Sequence, residues 1–232
     1  MKPEFEIDFS DDIKVKKLDD LTFEKTKESY LEWASRDFEY LDIEIKDLLN
    51  MPPPANSSDE TRKELLYIKE FPKYENSEHL AAHLKEMDES PEGFIYDYHE
   101  ELTGEKIDLD DIRYKVIGDS NTLILKLKLH YGRPRPYQLA PYHNINIDYN
   151  ESIQNNSAAT PAYPSGHTAS AFLAASICSL MYPDLQEKFM QRAKMVADSR
   201  IYEGVHFPSD NNFSVFIVRQ VLVPAFAKKY LR

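Results

Sequence analysis

A few residues carry the chemistry this sequence can offer, and their order matters as much as their types. Pro164-Ser165-Gly166-His167 stands at the entrance to an apolar, Ala-rich stretch running from Thr168 to Tyr182. The unpaired N–H groups of a first helical turn, together with the helix dipole, attract phosphate-like anions. Gly166 lets the backbone approach a ligand with no Cβ in the way, and His167 adds a titratable imidazole. A Ser-Gly pair before a helix is by itself an ordinary cap. Its flanks give it weight. Upstream stand Lys128 and Arg135; downstream stands Ser199-Arg200, with His206 after five further residues and Asp210 after three more. Three cations to neutralise phosphoryl oxygens, one histidine to attack and another to protonate a leaving group suit phosphoryl transfer.

These side chains need helices to hold them. Apolar residues at helical spacing (Tyr30, Trp33, Phe38, Leu41, Ile45, Leu48, Leu49) predict a helix over 23–49, stopped by Met51-Pro-Pro-Pro54. Ser57-Ser-Asp-Glu-Thr predicts a second helix to about Phe71, Ser77 opens a third to near Met87, and Ser90-Pro-Glu begins another. Asp108-Leu-Asp-Asp caps a further one leading into Leu123–His130. There Leu125, Leu127 and Leu129 alternate with Lys126, Lys128 and His130, which is strand periodicity. No second segment resembles a partner strand, and a lone strand leaves its ladder groups unpaired, so a helix is expected. On that helix Lys128 and Arg135 lie about two turns apart and share a face. Residues 137–163 read as a long polar loop, and 185–202 as an amphipathic helix with Phe189, Val196 and Ile201 inward, ended by Gly204. His206–Asp210 turns into a last helix, capped by Ser209 or Asp210, whose Phe213, Phe216, Ile217, Val221 and Phe226 face the core. Pro224 stands near its end.

At 232 residues, with 42% hydrophobic and 12% aromatic content, the chain can fill one core. The expected organisation is a single all-α domain over 1–232, a helical bundle with an N-terminal helical part at 1–107 and the chemistry-bearing helices at 108–232. A net charge of −12 argues against a nucleic-acid surface, although clustered Lys and Arg can still dominate their own cleft. The single Cys178 excludes an internal disulfide and reads as a small buried hydrophobe. No signal peptide and no membrane-length apolar run is visible, so a soluble cytoplasmic protein is expected. His79 and His83 are four apart but enclose Leu-Ala-Ala rather than a zinc-protease pattern, and a solvated helix face is the better reading for them and for His99. No metal site is expected.

Taken together, the three blocks resemble the signature of the type 2 phosphatidic acid phosphatase and vanadium haloperoxidase superfamily. That signature is Lys, six residues, Arg-Pro; then Pro-Ser-Gly-His; then Ser-Arg, five residues, His, three residues, Asp. Lys128…Arg135-Pro136, Pro164–His167 and Ser199-Arg200…His206…Asp210 fit it without a mismatch. Lys126 with Arg133-Pro134 also fits the first block, and the family's Gly-Arg-x-Arg-Pro form favours Lys128 and Arg135. Within the superfamily the chain looks most like the soluble class A nonspecific acid phosphatases. It departs from them in showing no secretion signal and in carrying Asn211-Asn212, a difference expected to touch helix packing alone.

The resemblance implies an all-α fold with the site at helix N-termini, and metal-independent phosphomonoester hydrolysis through a phosphohistidine. It implies His206 as nucleophile, Asp210 as the group that orients it, and His167 as general acid and later base. Lys128, Arg135, Ser165, Gly166 and Arg200 would hold the phosphoryl group. No cofactor is required on this reading, and vanadate is expected to inhibit. The alternatives are a haloperoxidase using vanadate as cofactor, or a non-catalytic phosphate-binding module. A small phosphorylated molecule is the expected partner, with no nucleic acid and no transmembrane segment; a homo-oligomer is left open.

Overall fold

In the computed structural model, which describes residues 3–4, 6–73, 77–106, 113–149 and 158–231, every regular element among them is helical. Local cap chemistry sets several starts. The Asp11 carboxylate accepts the N–H groups of Ile13 and Lys14 and opens α1 (Asp12–Asp19). A short α2 (Glu28–Ala34) follows. Ser58 Oγ accepts from Thr61 N and opens α3 (Asp59–Glu70), as the sequence predicts. Two short helices, α4 (Ser77–Ala82) and α5 (Leu84–Glu89), lead to α6 (Gly93–Thr103). Then come α7 (Gly118–Tyr131) and α8 (Pro136–Leu139). The long pair α9 (Gly166–Met181) and α10 (Gln186–Tyr202) precedes α11 (Pro208–Ile217) and α12 (Val223–Tyr230).

Helix α9 is the axis of the bundle, packing on α6, α7, α10 and α11. Its buried Ala169, Ala171, Ala174 and Ala175 are small, so neighbouring helices can come close on several sides. A helix apolar on all sides belongs inside. One apolar cluster joins Leu65, Met87 and Ile95 to Phe189 and Phe207; a second joins Leu41 and Leu48 to Leu127, Ile217 and Phe226. Both therefore draw on residues before and after position 107. Cys178 is buried, its thiol pushed up to about 12 by burial. No helix among the described residues is long and apolar enough to cross a membrane.

The 123–130 segment is helical, and its alternation has a physical source. Leu123, Ile124, Leu125 and Leu127 are all buried because α7 is surrounded. Lys126 escapes over the Phe38 ring at 5.7 Å, while Lys128 turns inward.

Several expectations need correction. The helix expected over 23–49 is confined to α2 and one 3-10 turn at Leu48–Asn50. Residues 39–41 instead give their N–H groups to the buried Asp119 carboxylate, at 2.9, 2.8 and 2.6 Å. Phe38, Leu41 and Leu48 thus anchor an irregular strap rather than one helix face. Segment 77–87 breaks at His83 into α4 and α5. Lys128 and Arg135 do not share a helix, since α7 ends at Gly132 (φ 60°) and Arg135 is the residue before α8. The supposed polar loop contains α8, a 3-10 turn at Ala140–His143, and buried Tyr142, Ile145 and Ile147. His99 is buried between Tyr182 and Phe189 rather than solvated, and Phe216 is exposed. The last helix begins after Phe207, whose N–H Asp210 accepts, while Ser209 pairs elsewhere. The Asp108-Leu-Asp-Asp cap lies outside the described residues.

Asp119→Ala removes the acceptor of three strap N–H groups. The expected destabilisation is about 2–3 kcal/mol, read as a lower urea midpoint; an unchanged midpoint would refute the anchoring role.

Candidate active site

The three sequence blocks meet through residues 160–162. Lys128 Nζ donates to the carbonyls of Pro161 and Ala162. Ala162 N donates to Arg133 O at 2.9 Å, and Arg135 Nε donates to Thr160 O at 2.8 Å. Tyr163 follows, its ring stacked on Phe213 at 4.6 Å and its hydroxyl donating to Met51 O. The chain then enters α9 with Ser165 as N-cap. Ser165 Oγ accepts from Thr168 N at 3.4 Å and donates to Thr168 Oγ1 at 3.0 Å, so this hydroxyl is engaged in the cap itself. A Cβ added to Gly166 would meet only Ile124, at 3.8 Å, on the side facing a cavity of about 280 Å³.

Block three closes on the first two. His206 precedes α11 and Asp210 lies in its first turn, so Asp210 reaches back: Oδ2 accepts from His206 Nδ1 at 3.0 Å and Phe207 N at 2.9 Å. Oδ1 accepts from Arg133 Nη1 at 2.6 Å. Asp210 is fully buried. With Nδ1 donating to Asp210, the His206 Nε2 lone pair faces Arg135 Nη1, a donor at 2.9 Å. Burial, then Arg135, Lys128 and Arg200, hold the His206 imidazole well below its ordinary value of 6.5. It is a neutral base with its lone pair directed at cations.

Those cations are themselves under pressure. Lys128 and Arg135 are buried and have no carboxylate at ion-pair distance among the described residues; their donors go to carbonyls, Thr160 Oγ1 and His206. Burial and then Arg135 push Lys128 far below its ordinary value, and burial pushes Arg135 down to about 10. An arriving anion relieves both effects. Arg200, also buried, contacts Asp88 through Nη1 at 2.6 Å and pairs with Glu203. His167 Nε2 donates to Asp88 O at 3.0 Å and lies 3.3 Å from its carboxylate. Burial and then Arg200 lower His167, with Asp88 opposing.

The cavity is floored by Lys128, Gly166, His167 and His206. Arg135 and Arg200 stand behind this lining, within the charge field of His206. Lys126 and Arg133 take other places: Lys126 at Phe38, and Arg133 on the far side of Asp210, over the Phe207 ring at 3.8 Å. Sequence reasoning missed Arg133 as a positioning group. Its Nη2 reaches Glu64, 3.1 Å away on α3, which also accepts from Ser209. Burial raises the Glu64 carboxyl, with Arg133 opposing. Asp88 and Glu203 were missed too; only Glu203 left a trace, three residues after Arg200 on one helical face. Asn211 joins Thr168 Oγ1 to Ala197 O, tying α9, α10 and α11. His79 and His83 meet ring to ring at 5.2 Å on the first half of the chain, apart from this cavity.

Residues 116–227 match the family model of the PAP2 superfamily. This stretch, just under half of the chain, is similar to members of that superfamily. A non-specific acid phosphatase of Providencia stuartii is 32% identical over 93 residues, covering 40% of this chain and 35% of the relative. The non-specific acid phosphatase of Salmonella typhimurium is 28% identical over 106 residues, 44% of this chain and 41% of the relative. The matched stretch thus spans well under half the length of these relatives. It contains all three motif blocks, including every residue of the cavity floor.

Arg133→Met leaves the buried Asp210 and the partly buried Glu64 carboxylates without their cation. The expected loss of stability is about 3–5 kcal/mol, measured by chemical unfolding. Arg133→Lys, which keeps the charge but not the fork, should lose less; equal stability of all three proteins would exclude the positioning role.

Proposed function

We propose that the protein is a metal-independent phosphomonoesterase of the acid phosphatase type, acting through a phosphohistidine. The observation that carries this reading is the His206 Nε2 lone pair held beside two buried cations that have no carboxylate in contact among the described residues. In the first step Nε2 attacks phosphorus, the P–O bond to the leaving group breaks, and the His167 imidazolium gives its proton to the departing oxygen. In the second, water attacks phosphorus, His167 takes the water proton, and the P–N bond breaks to release phosphate. Asp210 keeps the Nδ1 proton and stabilises the imidazole as it becomes cationic. Lys128, Arg135 and Arg200 neutralise the phosphoryl oxygens, with Gly166 leaving room at the helix mouth. The acid phosphatase names of the relatives support the same reaction class.

Hydrolysis of p-nitrophenyl phosphate should survive EDTA and be blocked by vanadate, which mimics the five-coordinate transition state. Activity lost on chelation and restored by zinc or magnesium would reject the metal-free mechanism. Robust bromide oxidation by the vanadate-loaded protein, with negligible hydrolysis, would favour the haloperoxidase reading instead.

Both histidines lie below 6.5, His206 well below. kcat/KM should rise as His206 loses its proton and fall as pH climbs through the lowered His167 value, where the acid form is lost. The optimum is therefore acidic. His206→Ala should abolish turnover and labelling by a ³²P substrate. His167→Ala should slow an alkyl phosphate by about 10²–10⁴, spare p-nitrophenyl phosphate more, and accumulate phosphoenzyme. Labelling of the first variant but not the second in rapid quench would reverse the two roles.

A further inference from the structure

The rim of the cavity carries a charge pattern opposite to that of its floor. Asp88, Glu89 and Glu92, from the end of α5 and the residues that follow it, line the mouth together with the rings of Tyr30 and Trp33. Asp88 is the innermost of the three: its Oδ1 lies 2.6 Å from Arg200 Nη1 and 3.3 Å from His167 Nε2. A phosphoryl group held by Arg200 competes with Asp88 for the guanidinium charge. The oxygen that His167 protonates then has Asp88 beside it, and so have the first atoms of whatever alcohol it belongs to.

We propose that this rim selects the leaving group, and that the preferred substrates are phosphomonoesters of amino alcohols. The proposal rests on the phosphomonoesterase reading. When phosphate oxygens occupy Arg200, an ammonium two carbons from the ester oxygen comes against Asp88, and every charge keeps an opposite neighbour. The Tyr30 ring on the lining favours a cation further, while the Trp33 ring already has Arg36 over it at 5.7 Å. A leaving group carrying a second anion instead faces the Asp88 carboxylate, with Glu92 and the Lys85-paired Glu89 also on the lining, which is repulsive. The chain's net charge of −12 adds to this discrimination.

The test is a series matched in size and differing in charge: O-phosphoethanolamine, 2-hydroxyethyl phosphate and 2-phosphoglycolate. Their kcat/KM values are compared at one pH where the amine is protonated and the carboxyl ionised. The expected order is cationic, neutral, anionic, with about tenfold per step, a little more than two unit charges about 4 Å apart contribute in water. Asp88→Asn should compress the spread by about tenfold, Asp88→Glu should keep it, and Glu92→Gln should compress it less. The readout is a ratio among substrates, which partial loss of fold does not imitate. If Asp88→Asn does not fold, the wild-type order and Glu92→Gln decide. p-Nitrophenyl phosphate is assayed in parallel. Its hydrolysis with a flat or reversed series overturns the rim proposal alone; no hydrolysis of any ester overturns the phosphomonoesterase reading and the rim proposal with it.

Discussion

The buried carboxylate of Asp210 sets the rest of the site. Both oxygens are used: one by Arg133, the other by His206 Nδ1 and Phe207 N. Because His206 must donate its Nδ1 proton here, its other nitrogen is left as a lone pair directed at Arg135. Asp210's own backbone carbonyl accepts from Ser165 N and Ser214 Oγ, so the same residue fixes the turn into α9. One residue therefore orients the His206 ring and locates the N-terminus of α9 relative to it. A buried carboxylate of this kind is tolerable only while its cation and hydrogen-bond partners stay in place. That explains why Arg133, which does not line the cavity, is packed so tightly against it.

Around this anchor the site concentrates like charges. Lys128, Arg135 and Arg200 are all buried, and each lowers the tendency of His206 to accept a proton. Burying cations without full compensation costs stability, and the surrounding bundle offsets it through the apolar packing of α9 and the carbonyls of residues 160–162. On the proposed reading, a phosphate dianion restores the charges that burial opposes. The acidic rim works against the same field at the entrance. Floor and rim together give the cavity a gradient from negative outside to positive inside, over the short distance that Asp88 spans between Arg200 and His167.

The three spaced blocks made the residues of the floor legible in the sequence, since their spacings set two histidines and three cations in one order and the fold brings them to one cavity. The all-helical class was legible as well, through cap residues such as Ser58 and Ser165 and the absence of a partner for the 123–130 alternation. Local chemistry acts within a few residues, so it survives in any reading of the chain. The fate of residues 23–49 was not legible: helical spacing there describes anchors of a strap whose N–H groups go to Asp119, about 80 positions away. No window along the chain contains both partners.

Tertiary structure alone decided which groups support the floor. Glu64 reaches Arg133 and Ser209 from α3, and Asp88 reaches Arg200 across more than a hundred residues. Neither carboxylate differs in sequence from the many acidic residues on solvated faces of this chain. It also decided that Arg133 supports Asp210 while Arg135 faces His206, although the two arginines stand two apart in the same Pro-flanked segment. The reason is directional. Gly132 ends α7 in a left-handed turn and Arg135, held extended before Pro136, carries the chain onward, so the two side chains meet His206–Asp210 at successive places, Arg133 at the carboxylate and Arg135 at the imidazole. Composition and spacing name the charges; only the folded path of the backbone assigns each one its partner.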